Sequence, residues 1–141
     1  IFEEGLENIY ERHRVLAEAT HAAVEVWSQA GTLSLNAIEP KERSTAVTTI
    51  LTDEGVDANM IRDVCRDEMM VGLGGGLGNL AGRAFRIGHM GDMNAPMLFA
   101  ALASIEATFR YLDIKFAPGG VTAAIEHVAQ SKKVGTGPFS Y

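Results

Sequence analysis

The chain has 141 residues, 47% of them hydrophobic, a formal net charge of -6 and an isoelectric point near 5.1. That length suits one domain with a core of its own and is too short for two ordinary ones. The acidic balance argues against a nucleic-acid or anionic-membrane surface and leaves room only for small anions at a local cation.

In chain order, apolar or half-apolar residues stand at Phe2, Leu6, Ile9, His13, Leu16, Thr20, Val24 and Trp27. Steps of three and four predict a long helix with one buried stripe across residues 1–30, closed by Gly31 in a left-handed conformation. The opening Ile1-Phe2-Glu3-Glu4-Gly5 carries no methionine and no basic, cleavable leader, so it reads as a piece of something larger, entered in mid-helix. Leu33 and Leu35 give a short extended segment, and Pro40-Lys41-Glu42-Arg43 a polar turn. Residues 44–52 are rich in Thr, Val and Ile and predict a strand. Asp57 is placed to cap a helix in which Met60, Ile61, Val64 and Cys65 repeat at helical spacing, ending near Met69. Val71 and Leu73 begin a third strand. In residues 84–89, Phe85 and Ile87 alternate with Arg86, which predicts a fourth strand with the arginine on the face opposite the two apolar side chains. Asn94 caps an apolar helix reaching about Leu112, with Pro96 tolerated in its first turn. Gly119-Gly120 break the chain, residues 121–130 form a last helix, and the tail 132–141 is expected to be mobile unless docked. The order predicts an α+β fold: a small, mostly antiparallel sheet covered by helices over residues 31–131, led in by the long helix.

The longest apolar run, residues 95–105, is shorter than the ~20 residues of a membrane-spanning helix. Cys65 is the sole cysteine, which excludes an internal disulfide framework and fits a reducing, cytoplasmic compartment. On an apolar helical face it reads as an inert small hydrophobe. Gly76, Gly78 and Ala81 match G-x-G-x-x-A, but a strand follows where a dinucleotide site requires a helix. His89 and Asp92 lack the further ligands a metal site needs, and His13 and His21 lie too far apart on one helix to share an ion. No serine sits in a glycine-flanked elbow. The site reading falls instead on the Gly-rich stretch of residues 72–92, with Gly76, Leu77, Gly78 and His89 as its loop and Arg86 as its grip. A guanidinium among apolar neighbours requires an anionic partner. From the residues alone, an internal Asp92 or Glu106 and the carboxylate of a ligand stand level for that place.

The run Gly76-Leu77-Gly78-Asn79-Leu80-Ala81-Gly82-Arg83-Ala84-Phe85-Arg86-Ile87-Gly88-His89-Met90-Gly91-Asp92 resembles a motif near the end of class V pyridoxal-phosphate aminotransferases, the serine:glyoxylate, alanine:glyoxylate and serine:pyruvate group. Gly5-Leu6-Glu7-Asn8 with Arg12-His13 and Leu16-Ala17, and Gly119-Gly120-Val121 before a final helix, are similar to the same family's flanks. The resemblance implies the carboxy-terminal small domain of a fold type I enzyme, with Arg86 binding the substrate α-carboxylate. It also implies that pyridoxal 5'-phosphate, its Schiff-base lysine and part of the site belong to a large domain and a second subunit of a homodimer. Lys41, Lys115, Lys132 and Lys133 stand in turns or the tail, so no catalytic residue is expected in these 141 residues and the chain alone should be inactive. The other readings are a free-standing module that binds an amino or oxo acid through Arg86, and an interaction domain docking through its first helix.

Overall fold

Two side chains set where the central helices begin. In the computed structural model, which describes residues 4–131, the Asp57 carboxylate accepts from the backbone N–H of Asn59 at 2.8 Å, and Asn94 Oδ1 accepts from Met97 N–H at 2.9 Å. Each satisfies a donor that the first helical turn leaves without a partner. Helices α2 (Ala58–Met69) and α3 (Ala95–Tyr111) follow these caps directly, as the sequence predicts. Helix α1 spans Leu6–Trp27 and continues as a 3-10 turn to Ala30, where Gly31 takes φ 83. Helix α4 is Gly120–Gln130.

The strands are β1 (Leu33–Leu35), β2 (Val47–Thr52), β3 (Gly74–Gly75) and β4 (Ala84–Gly88), in the order β1-β2-β4-β3 and antiparallel throughout. Residues paired directly across the ladder share a face. One face therefore carries Leu35, Ile50, Phe85, Thr48 and Ile87; the other carries Thr49, Arg86 and Gly74. Ile50, Phe85 and Ile87 join Leu16, Val24, Trp27, Ile61, Leu102 and Phe109 in one core, so the helices cover the first face. Three rings meet edge-on within it, Trp27 on Phe109 at 5.3 Å and Phe85 on Phe109 at 6.2 Å between centroids. The result is the predicted α+β fold with a small antiparallel sheet and a long first helix.

Trp27 also ties three helices together. Its indole N–H donates to Glu106 Oε1 on α3 at 2.8 Å, and the same oxygen accepts from Val121 N–H at the start of α4 at 3.2 Å. A Cβ on Gly120 would stand 2.2 Å from the indole nitrogen, so only glycine lets α4 approach here.

Three sequence expectations need correcting. The first helix does not enter in mid-course: Gly5, with φ 81, precedes a start at Leu6, and Phe2 lies outside the described residues. Its buried stripe is also shorter than the periodicity suggests. Leu16, Thr20, Val24 and Trp27 are buried, but Leu6 is 50% and Tyr10 62% exposed, because the core reaches only the second half of the helix. Finally, the third strand lies on Gly74–Gly75 and not on Val71 and Leu73. The tail 132–141 lies outside the described residues.

Candidate functional site

Arg86 sits at the middle of β4, with Phe85 and Ile87 buried on one face and its own side chain half-buried on the other. Its cross-strand partner is Gly74. A Cβ on Gly74 would meet Arg86 Cβ and Nε at 3.2 Å, so the arginine lies flat over the space that glycine leaves. There Arg86 Nε donates to the carbonyl of Gly75 at 2.7 Å. Among the described residues no carboxylate forms an ion pair with it. The two internal partners considered from sequence are elsewhere: Glu106 holds Trp27 and Val121, and Asp92 is exposed beyond the strand.

The loop after β3 is shaped by glycines. A Cβ on Gly76 would stand 2.0 Å from the carbonyl oxygen of Leu80, so the chain turns back on itself more tightly than any side chain allows. Gly78 takes φ 56 at the start of a short 3-10 turn, and Leu77 beside it is 67% exposed. The loop is tied down at its far end, where Gly82 O accepts from Ala58 N–H at 3.1 Å and Arg83 O from Thr52 N–H at 2.9 Å.

His89 does not belong with this loop. Alternation along the strand carries it to the face of Phe85 and Ile87, where it is fully buried. The Thr45 carbonyl, 3.2 Å from Nδ1, can only accept, so Nδ1 bears the proton and Nε2 accepts from the Thr48 hydroxyl at 2.9 Å. Burial, with His21 nearby, pushes its pKa down to about 4, so the ring is neutral and structural. Cys65 is buried as expected, and burial pushes its thiol up, away from nucleophilic use.

Two features escaped the sequence reading. Arg62 on α2 lies against the other side of β3, with Nε donating to Leu73 O at 3.3 Å and Nη1 to Asn59 Oδ1 at 3.1 Å. Its only signal in the sequence is the adjacent pair Gly74-Gly75, which leaves space on both sides of an edge strand. Arg12 grips Glu4 through Nε and Nη2, both at 2.8 Å, and its Nη1 donates to the carbonyls of Gly91 and Met93 at 2.8 and 2.6 Å. It pins the connection between β4 and α3 to α1, and its guanidinium holds the Glu4 carboxyl below the usual carboxylate range. A cleft of about 400 Å³ between α1, α4 and the turn at Pro40 is lined by polar side chains that pair with one another, Arg43 with Glu25 and both Arg14 and His127 with Glu18. No group of three or more potential metal ligands occurs among the described residues, and none of their helices is long and apolar enough to cross a membrane.

No family model matches the chain. Over 132 residues it is 43% identical to the serine–glyoxylate aminotransferase of Methylorubrum extorquens, a match covering 93% of this chain and 32% of that protein. The L-aspartate–glyoxylate aminotransferase of Paracoccus denitrificans is 38% identical with the same coverage. The chain belongs to the class V aminotransferases, as their small domain. The solved structure of the ureidoglycine–glyoxylate aminotransferase from Bacillus subtilis superimposes with a TM-score of 0.80 at 27% identity, over 92% of this chain and 33% of that one. The chain thus spans about a third of the length of the class V relatives it matches.

Proposed function

We propose that this chain binds the substrate α-carboxylate, through Arg86, within a pyridoxal-phosphate-dependent aminotransferase that moves an amino group between a small amino acid and glyoxylate or pyruvate. One observation carries the reading. Arg86 is a half-buried guanidinium on the face of the sheet opposite the helices, anchored by one donor and without a carboxylate among the described residues. Such a group seeks a planar anion, and a carboxylate offers two acceptor oxygens at matching separation. Glyoxylate recurs in the names of the three proteins compared above while the donors differ, and serine follows from the 43% identical relative.

In this reading the cofactor site lies outside this chain. Lys41 and Lys115 are exposed at turns, and no buried lysine amine stands near Arg86 among the described residues. The cofactor, which supplies the electron sink for amino transfer when bound, and the lysine that holds it fall to the large domain and a second subunit. The contribution of Arg86 is orientation: a carboxylate fixed at two points presents its α-amine, or the keto group of an oxo acid, in one direction only.

In the full-length protein, Arg86→Ala should lower kcat/KM on the order of a hundredfold or more for amino and oxo acid alike, since each charge-assisted bond is worth ~1.5 to 3 kcal/mol. The cofactor absorbance should be unchanged. Near-normal kcat/KM for every amino and oxo acid tested would refute the assignment.

A further inference from the structure

We propose that the edge strand Gly74–Gly75, held between Arg62 and Arg86, is the positioning device of the carboxylate grip, and that it commits Arg86 to meet its ligand with the Nη1–Nη2 end of the guanidinium. The proposal rests on the reading of Arg86 as the carboxylate site and adds what aims it.

The strand is two residues long, and both are glycine, the residue with least to gain in a sheet. Their two missing side chains point to opposite faces, and each vacancy is filled by a guanidinium. Above Gly74, a Cβ would meet Arg86 Nε at 3.2 Å and Nη2 at 3.5 Å; below Gly75, it would meet Arg62 Cζ and Nη1 at 3.0 Å. Each arginine also donates its Nε to a carbonyl of this segment, Arg86 to Gly75 at 2.7 Å and Arg62 to Leu73 at 3.3 Å. The backbone is thus braced from both sides. Arg62 is itself anchored by Asn59, one turn behind it on a helix whose start Asp57 caps. The sheet ladder, with Gly74 opposite Arg86 and Gly75 opposite Phe85, fixes the carbonyl relative to the strand that bears the arginine.

The consequence is chemical. An arginine can grip a carboxylate with Nε and one Nη, or with its two Nη atoms. Gly75 O occupies Nε, so the first mode is closed and the second remains. A flexible side chain with several rotatable bonds is thereby reduced to one orientation before the ligand arrives, which lowers the entropy lost on binding. Arg62 and Gly74 are positioning residues here, acting through Arg86 and not on the ligand.

The test uses the full-length holoenzyme with Gly74→Ala, Arg62→Ala, Arg86→Ala and the double variant Gly74→Ala/Arg86→Ala, following KM and kcat for an amino acid and an oxo acid together with the thermal midpoint. Because displacement of a positioning group by about 1 Å can cost up to a hundredfold, Gly74→Ala should raise KM for both substrates on the order of tenfold, with kcat changed less. Arg62→Ala should act in the same direction more weakly. The double variant should be no worse than Arg86→Ala alone, since Gly74 then has nothing left to aim. A crystal structure of Gly74→Ala should show the Arg86 guanidinium displaced and its Nε bond to Gly75 O lengthened from 2.7 Å. Unchanged KM in both Gly74→Ala and Arg62→Ala, or penalties that multiply in the double variant, would overturn the positioning role while a large Arg86→Ala loss left the carboxylate reading intact. A harmless Arg86→Ala would instead remove that reading, and the proposal with it. If Gly74→Ala does not fold, Arg62→Ala decides the question from the other face.

Discussion

Two nitrogen-bearing side chains, Arg86 on β4 and His89 just past its end, stand three residues apart and meet opposite fates. His89 faces the helices, is fully buried, and has both ring nitrogens bonded, one to Thr45 and one to Thr48. Arg86 faces away from the helices, is half-buried, and spends one donor on a carbonyl while its charge is unmatched by any described carboxylate. What separates the structural histidine from the proposed carboxylate grip is whether its bonding capacity is used up, and not its burial or its motif. Arg12 makes the point with the same side chain as Arg86. Two of its nitrogens hold Glu4 and the third holds two carbonyls, so its charge is matched, four of its five N–H donors are spent, and it serves to pin a loop.

The comparison breaks most visibly if Arg86 turns out to matter for folding. Arg86→Ala should cost on the order of a hundredfold or more in kcat/KM while moving the thermal midpoint little, because the only side-chain bond lost is the one to Gly75. The mirror case is His89→Ala, expected to lower stability by ~2 to 4 kcal/mol, through a cavity and a stranded Thr48 hydroxyl, with KM for either substrate unchanged. Urea unfolding and steady-state kinetics on the same preparations would check both. Arg12→Ala should cost about 2 kcal/mol, since Arg12 and Glu4 are both largely shielded from water and removing one strands the other. A kinetic defect in Arg12→Ala with undiminished stability would move that residue to the other side of the comparison.

The smallest effect is one of pH. His89 takes up a proton near 6.5 when unfolded but only near 4 when folded, and His21 is shifted the same way by burial. Between those values the unfolded chain binds protons that the folded chain does not. The stabilisation from the neutral ring is therefore complete above about pH 6.5 and lost as pH falls toward 4, by up to about 2 kcal/mol between pH 7 and 5. Urea midpoints should fall over that interval, and His89→Gln should flatten the slope. Identical slopes in the two proteins would show that other groups carry the acid sensitivity.

Much of this is legible in the sequence, and the reasons are local. Asp57 and Asn94 mark helix starts because a short polar side chain ahead of an apolar repeat has one good use. Alternation around Arg86 placed it opposite Phe85 and Ile87 because a strand has only two faces. The failures arise where distant partners decide. Glycine disfavours strands, so nothing local places β3 on Gly74–Gly75; that depends on Arg62 and Arg86 filling both faces. The apolar stripe of α1 continues to Leu6 in sequence, but the core ends near Val15, and periodicity carries no information about where the opposing surface stops. Proximity in sequence groups His89 with the Gly-rich loop, although continuing the same alternation two residues past Ile87 sends it to the other face.

The chain contains one tryptophan, and Trp27 lies fully buried with its indole N–H on Glu106, where α1, α3 and α4 meet. In the isolated chain its emission is a single-site optical probe of that junction, silent about the sheet edge across the core. Glu106→Gln keeps the shape and removes the charge beside the indole, which gives the probe a calibration within the same fold. Circular dichroism of the whole chain, recorded beside this emission, then reports whether the helical junction and the Arg86 edge come apart together or in sequence.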